Sequence, residues 1–217
     1  DGTFGEVIAV TNMGAIGGVL GAALLIWLKT RKLDVGMVGN GAIAGLVAIT
    51  APAGFVELWA APIIGFIGGL VVVAGVIAID RKLDDPVGAL SAHGLAGIWG
   101  TLACGLFTSD RLAAVGRPGL FYGGGLEQLG VQALAVVVTF LTVFILSLIA
   151  FAFIRATIGL RVSPEEEDAG LDISEHGMYG YPEQFIPAPE LIGVGSTRPG
   201  ASARAGAAVA NPSEVPA

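Results

Sequence analysis

His93 is the residue with the clearest chemistry. It sits in Leu90-Ser91-Ala92-His93-Gly94-Leu95-Ala96, a run with no other ionisable side chain. An ionisable group inside an apolar membrane helix is costly to keep and marks a pathway or a proton relay by default. The competing reading is a histidine satisfied by one interhelical hydrogen bond. On an α-helix, positions three, four and seven away share a face. For His93 these are Leu90, Ala96, Ala89, Gly97, Pro86 and Gly100. That face is small and apolar, and it carries no carboxylate to hold a proton on the ring. Desolvation there favours the uncharged imidazole, which offers one donor and one acceptor. Such a group suits a small polar molecule that both donates and accepts. Ala89, Leu90 and Gly97 are the candidates to line a lane beside it.

Thr50 is the second polar residue of interest, at the end of Gly45-Leu46-Val47-Ala48-Ile49. Its hydroxyl has two readings, a contact for a passing solute or a bond back to its own helix carbonyl. Other chemistries fit less well. A metal site needs several ligands, and one histidine supplies one. Ser91 and His93 are two apart and point to different sides of a helix, and Ala89 stands where a nucleophile elbow needs glycine. The sequence therefore does not read as an enzyme, and no cofactor is expected. Trp27 and Trp59 lie near the ends of apolar stretches, where aromatic residues anchor helices at the membrane interface. Trp99 lies within one.

The elements that must position His93 and Thr50 are membrane helices. The chain of 217 residues is 54% hydrophobic and only 13% charged, against about 25% charged in a soluble domain. Its mean hydropathy of +0.79 points the same way. A span needs roughly 20 apolar residues to cross about 30 Å of hydrocarbon. Five stretches meet this requirement: 7–28, 35–56, 58–79, 86–107 and 129–154. They do not alternate as barrel strands would, so the expected fold is an all-α membrane protein of about five transmembrane helices. Glycines four apart recur: Gly14 and Gly18, Gly17 and Gly21, Gly41 and Gly45, Gly65 and Gly69. Small residues at that spacing let membrane helices pack closely.

Charge sets the orientation. Residues 1–160 carry nine acids and eight bases, and residues 161–217 carry nine acids and three bases. The net charge of −7 is therefore mostly that of an acidic tail, and it argues against a nucleic-acid surface. Lys29, Arg31, Lys32, Arg81, Lys82, Arg155 and Arg161 fall on one side of five alternating helices, and Arg111 and Arg117 on the other. The positive-inside rule then places the chain start outside and the C-terminus in the cytoplasm, in a multi-pass plasma-membrane protein. Cys104 is the single cysteine and says nothing of redox compartment.

The expected organisation is a transmembrane domain over 1–160, an acidic cytoplasmic regulatory segment over 161–185, and a disordered tail over 186–217. In the segment, Ser163-Pro164-Glu165-Glu166 has the pattern of a capped helix start, with Gly170 placed to stop the helix. Beyond it Pro, Gly, Ala and Ser dominate without apolar periodicity. The chain opens at Asp1 without an initiator Met and runs directly into an apolar stretch, the expectation for a fragment or a processed chain.

Three motifs in order resemble the family of ammonium transporters, methylammonium permeases and Rh proteins. Asn40-Gly41-Ala42-Ile43-Ala44-Gly45-Leu46-Val47-Ala48-Ile49-Thr50 is similar to the family's eighth helix. Asp84-Asp85-Pro86-Val87-Gly88-Ala89-Leu90-Ser91-Ala92-His93-Gly94 is similar to the start of its tenth. Gly159-Leu160-Arg161-Val162, with Gly170-Leu171-Asp172-Ile173-Ser174-Glu175-His176-Gly177, is similar to the start of its cytoplasmic tail. The resemblance implies an eleven-helix fold built of inverted repeats in a homotrimer, of which this chain holds the second half. It implies that His93 is the second of two pore histidines and that Thr50 stands beside an outer ammonium site. It implies that Gly170, Leu171, Asp172, His176 and Gly177 belong to a regulatory tail that can meet a PII-type signalling protein. The implied function is transport of ammonium, deprotonated outside and passed as ammonia along histidines through the bilayer. A non-transporting ammonium sensor or membrane subunit, and a channel for another small neutral solute, are the alternatives.

Overall fold

Glycine decides how closely the first helices approach. In the computed structural model, which describes residues 2–113, 116–178 and 180, α1 (Gly2–Thr30) packs against both α2 (Val35–Thr50) and α3 (Ala60–Ile79). A Cβ on Gly65 would stand 1.9 Å from the Gly14 carbonyl oxygen, and one on Gly18 would stand 2.2 Å from that of Gly41. No larger side chain fits at these crossings. All eight glycines with four-residue spacing are buried in this seam. Above and below it lie two apolar clusters, one around Ile49, Ile64 and Phe107, the other around Ile26, Val72 and Val73.

The fourth span is composite. A π turn over Leu90–Leu95 leads into α4 (Ala96–Phe107), and both pack on α2 and α3. The fifth helix, α5 (Glu127–Thr157), buries none of its residues. Among the described residues, four spans are long and apolar enough to cross a membrane: Gly2–Thr30, Ala60–Ile79, Leu90–Phe107 and Glu127–Thr157. The protein is an all-α membrane protein.

The helix bounds differ from the hydropathy reading in ways that have causes. The stretch 35–56 is helical only to Thr50. Pro52 has no N–H to continue the ladder, and the chain turns, with Phe55 and Val56 N–H both donating to the Pro52 carbonyl. At about 1.5 Å per residue α2 is only ~24 Å long, short of the ~30 Å core. The third helix begins at Ala60 rather than 58. The fourth begins at Leu90 rather than 86, because Gly88 at φ +71° cannot sit in a right-handed helix. The first and last helices run past the expected 7–28 and 129–154 at both ends.

The ends of the first four spans are tied in two groups. At one, Val56 and Thr108 form an isolated antiparallel bridge, Ser109 N–H donates to Phe55 O at 2.9 Å, and Arg111 pairs with both Glu6 and Glu57. At the other, Asp34 caps α2 by accepting from Met37 N–H at 2.8 Å, and Asn40 Nδ2 donates to Val87 O at 3.0 Å.

The chain divides into two units, 1–149 and 150–217. The second opens with the last turns of α5 and holds α6 (Pro164–Ala169) and α7 (Leu171–His176). Ser163 caps α6 as its sequence predicts: its Oγ accepts from Glu166 N–H at 3.2 Å, and Glu166 Oε2 accepts from Ser163 N–H at 2.9 Å. The Ser163 backbone N–H, donating to it, holds the Glu166 carboxyl below its ordinary range. Gly170 ends α6 at φ +92°, and Gly177 follows α7 at φ +67°. Asp172 Oδ2 accepts from Gly180 N–H at 2.9 Å. Leu171 and His176 are the first and last residues of α7. The end of the acidic segment, 181–185, and the expected disordered tail, 186–217, lie outside the described residues.

Candidate functional site

The helical run Leu90–Phe107 is held at its start by a buried carboxylate. Asp85 is 8% exposed. Its Oδ1 accepts from Leu90 N–H at 3.2 Å, and its Oδ2 accepts from Ser91 N–H at 3.4 Å and from Ser91 Oγ at 3.5 Å. The run then takes one turn in π register, in which Ala96 N–H reaches back five residues to Ser91 O. Past that turn, α4 continues with its small face, Ala96, Gly100 and Ala103, buried against the bundle.

His93 emerges on the opposite side. It is exposed and lines a cavity of about 680 Å³ between this run and α5. Leu90 and Gly97 line the same cavity with Gly94, Ile98 and Thr101, and α5 supplies Thr139, Phe140, Phe144 and Ser147 among others. The wall is apolar apart from the imidazole and three hydroxyls. Thr101 donates to Gly97 O at 2.9 Å within its own helix.

The face expected around His93 is therefore only partly the face found. Leu90 and Gly97 join it, whereas Ala96 and Gly100 turn into the bundle. Ala89 is exposed but does not line the cavity. The imidazole is not buried among these five helices, so burial within this chain does not desolvate it.

Thr50 lies apart from the cavity, at the exposed C-terminal end of α2, where its Oγ1 donates to Leu46 O at 2.7 Å. With its proton committed, the oxygen presents lone pairs outward as an acceptor. Trp99 is not an interface anchor; its Nε1–H donates to Ile64 O at 2.9 Å between α4 and α3. Trp27 and Trp59 are exposed near helix ends, and the Arg31 guanidinium lies 5.0 Å from the centre of the Trp27 ring.

The sequence reading missed Thr101, Thr139 and Ser147 as cavity residues and Asp85 as a structural one. Single hydroxyls carry no spacing signal. Asp85 did carry one, since an acid five residues before a helix that begins with Leu-Ser can cap it.

Comparison with known proteins places these features in a group. A sequence profile described as the Ammonium Transporter Family matches residues 2–181. The chain is 42% identical to the ammonium transporter Amt2 of Archaeoglobus fulgidus over 187 residues, covering 83% of this chain and 40% of that protein. It is 38% identical to an ammonium transporter of Bacillus subtilis, covering 81% of this chain and 44% of the relative. Among solved structures, it is similar to one described as a sensor Amt protein, with TM-score 0.71 and 36% identity over 81% of this chain and 43% of the other. It is also similar to Mep2 of Saccharomyces cerevisiae, with TM-score 0.67 and 27% identity, covering 74% and 37% of the two chains. The chain thus spans under half the length of these relatives.

Proposed function

The chain belongs to the ammonium transporter family, and from that premise we propose that it forms one wall of a path by which ammonium crosses a membrane. The observation that carries the reading is His93, an imidazole on a wall that is otherwise apolar save for three hydroxyls, with Leu90 and Gly97 beside it. An ammonium ion cannot enter such a wall with its charge unpaired, because stripping its water costs tens of kcal/mol by the Born argument. Loss of one proton removes most of that cost. One N–H bond of the ion breaks with its electron pair kept on nitrogen, and the proton leaves through an acceptor. The resulting ammonia donates and accepts, as an uncharged imidazole does. Potassium has no proton to give up, so the same wall rejects it.

Thr50 fits an outer role. An ammonium ion donates and cannot accept, and an oxygen whose own proton is committed to Leu46 offers what such an ion needs. Ala89 stays a pore-lining candidate at the start of the run. Arg111, Glu6 and Glu57 mark the end of the bundle that the basic-residue count puts outside. The C-terminus is then cytoplasmic, in the plasma membrane. The capped module α6–α7, with Gly170, Leu171, Asp172, His176 and Gly177, is a regulatory surface for a PII-type signalling protein, and the working assembly is a homotrimer.

The experiment is transport by the full-length protein carrying His93→Ala in proteoliposomes. A variant that assembles normally but loses proton-coupled ammonium flux, or its rejection of potassium, supports the reading. Normal and selective currents return His93 to a structural role. Signalling from a variant that never transported would favour the sensor reading, which has a structural relative of that description.

A further inference from the structure

We propose that Asp85 is a positioning residue: by holding Ser91 inward it selects the π register that turns His93 out of the helix bundle and onto the cavity wall. The proposal rests on the reading of His93 as the working group of that wall.

The buried faces fix the phase of the helix. α4 buries Ala96, Gly100, Ala103, Cys104 and Phe107, and in an α-helix residues three and four apart share a side. Running the same spiral back from Ala96 and Gly100 puts Ala92, His93 and Ala89 on the buried side and turns Ser91 outward. The structure has the pattern displaced by one residue. Ser91, Ala92 and Gly88 are buried, and His93 and Ala89 are exposed. One extra residue has been taken up between the two faces, which is what the Ala96-to-Ser91 bond records. Without it, the imidazole would point into the bundle, against α2 and α3.

Three groups favour the displaced phase. The Asp85 carboxylate, itself 8% exposed, takes both Ser91 N–H and Ser91 Oγ as well as Leu90 N–H. An inward Ser91 supplies two of the three donors on that carboxylate and both of those on its Oδ2, and losing them in a buried place is costly. Gly75 on α3 makes the room: a Cβ there would stand 2.9 Å from Ser91 Oγ and 2.8 Å from Leu95 Cδ1. Gly88 turns the chain at φ +71°, where a Cβ would meet Val76 Cγ2 at 2.7 Å.

The test reads the phase directly. In the full-length protein carrying Cys104→Ala, thiols are introduced singly by His93→Cys and Ala92→Cys and labelled with a small membrane-permeant methanethiosulfonate. In the parent, the thiol at 93 reacts and that at 92 is protected. Adding Asp85→Ala should exchange the two, slowing 93 and speeding 92 each about tenfold. Gly75→Ala, which crowds Ser91 from the other side, should do the same with Asp85 intact. Local unfolding would speed both positions, so only the reciprocal exchange supports the proposal. Asp85→Asn, which keeps one acceptor oxygen, should fall between parent and Asp85→Ala. If Asp85→Ala does not assemble, Ser91→Ala, which removes only the hydroxyl bond, decides by a smaller exchange of the same sign. Position 93 staying reactive and 92 protected in these variants overturns the proposal. Labelling needs no transport, so failure here is distinct from normal currents in His93→Ala, which would remove the transport reading alone.

Discussion

Thr50 separates two roles that one hydroxyl can fill. Its bond to Leu46 O is internal to α2, so removing it disturbs little beyond that turn. Thr50→Val in the full-length protein should leave expression and assembly unchanged. If the oxygen also receives ammonium, the concentration giving half-maximal flux should rise several-fold while the maximal flux holds. Thr50→Ser, which keeps the oxygen, should restore the parent value. Flux measured against ammonium concentration checks this, and an unchanged half-saturation in Thr50→Val would leave only the helix bond. At this scale the sequence was a partial guide. An isolated imidazole in an apolar run is visible by type, so His93 could be named. The side it faces could not, because that depends on a π turn, and a residue-by-residue reading assumes constant helical phase. Asp85 falls just outside the expected span 86–107 for the same reason: its burial is produced by the turn it caps.

Among the elements, the α1–α3 seam makes the sharpest claim. A Cβ on Gly65 meets the Gly14 carbonyl, backbone against backbone, with no rotamer able to yield. Gly65→Ala should lower stability by more than the ~1–3 kcal/mol usual for overpacking, seen as a clear fall in thermal midpoint in detergent. Gly39→Ala is the control on α2. Nothing lies within 4 Å of its Cβ position, and alanine is the better helix former, by up to about 1 kcal/mol. Its midpoint should hold or rise. The seam was legible because four-residue glycine spacing survives in one dimension. The shortness of α2 was less so: hydropathy continues to Val56, and only the ring of Pro52 ends the helix. The long apolar α5 was legible as a span from composition alone, which is also why its sequence says little about what it packs against.

For the whole molecule, orientation and closure meet at Arg111. Its guanidinium joins Glu6 at the start of α1 to Glu57 before α3, so three distant parts of the chain share one cation. Hydrogen bonding to Arg111 holds the Glu57 carboxyl below its ordinary value of 4.5. A lowered carboxylate stabilises the fold fully above its unfolded value and loses that contribution as pH falls through the folded one. Arg111→Ala should therefore lower the thermal midpoint at pH 7 and at pH 5.5, and the difference from the parent should shrink as pH drops below 4.5. The proposed orientation, taken from the basic-residue count, predicts that this clasp lies outside the cell. A thiol introduced by Arg31→Cys, at the other end, should resist impermeant reagents added to intact cells, while one introduced by Arg117→Cys should react. Labelling of the first from outside would invert the topology. The glycine seam has a further consequence, for motion. A carbonyl pressed against a Cα has no torsion through which to relax, so α1, α2 and α3 can shift only as a single stiff body. Exchange on the microsecond-to-millisecond scale, where gating motions fall, is then left to the run from Gly88 to Leu95, where the backbone already departs from the α-helix. Amide relaxation dispersion should be quiet from Gly14 to Gly21 and concentrated around His93.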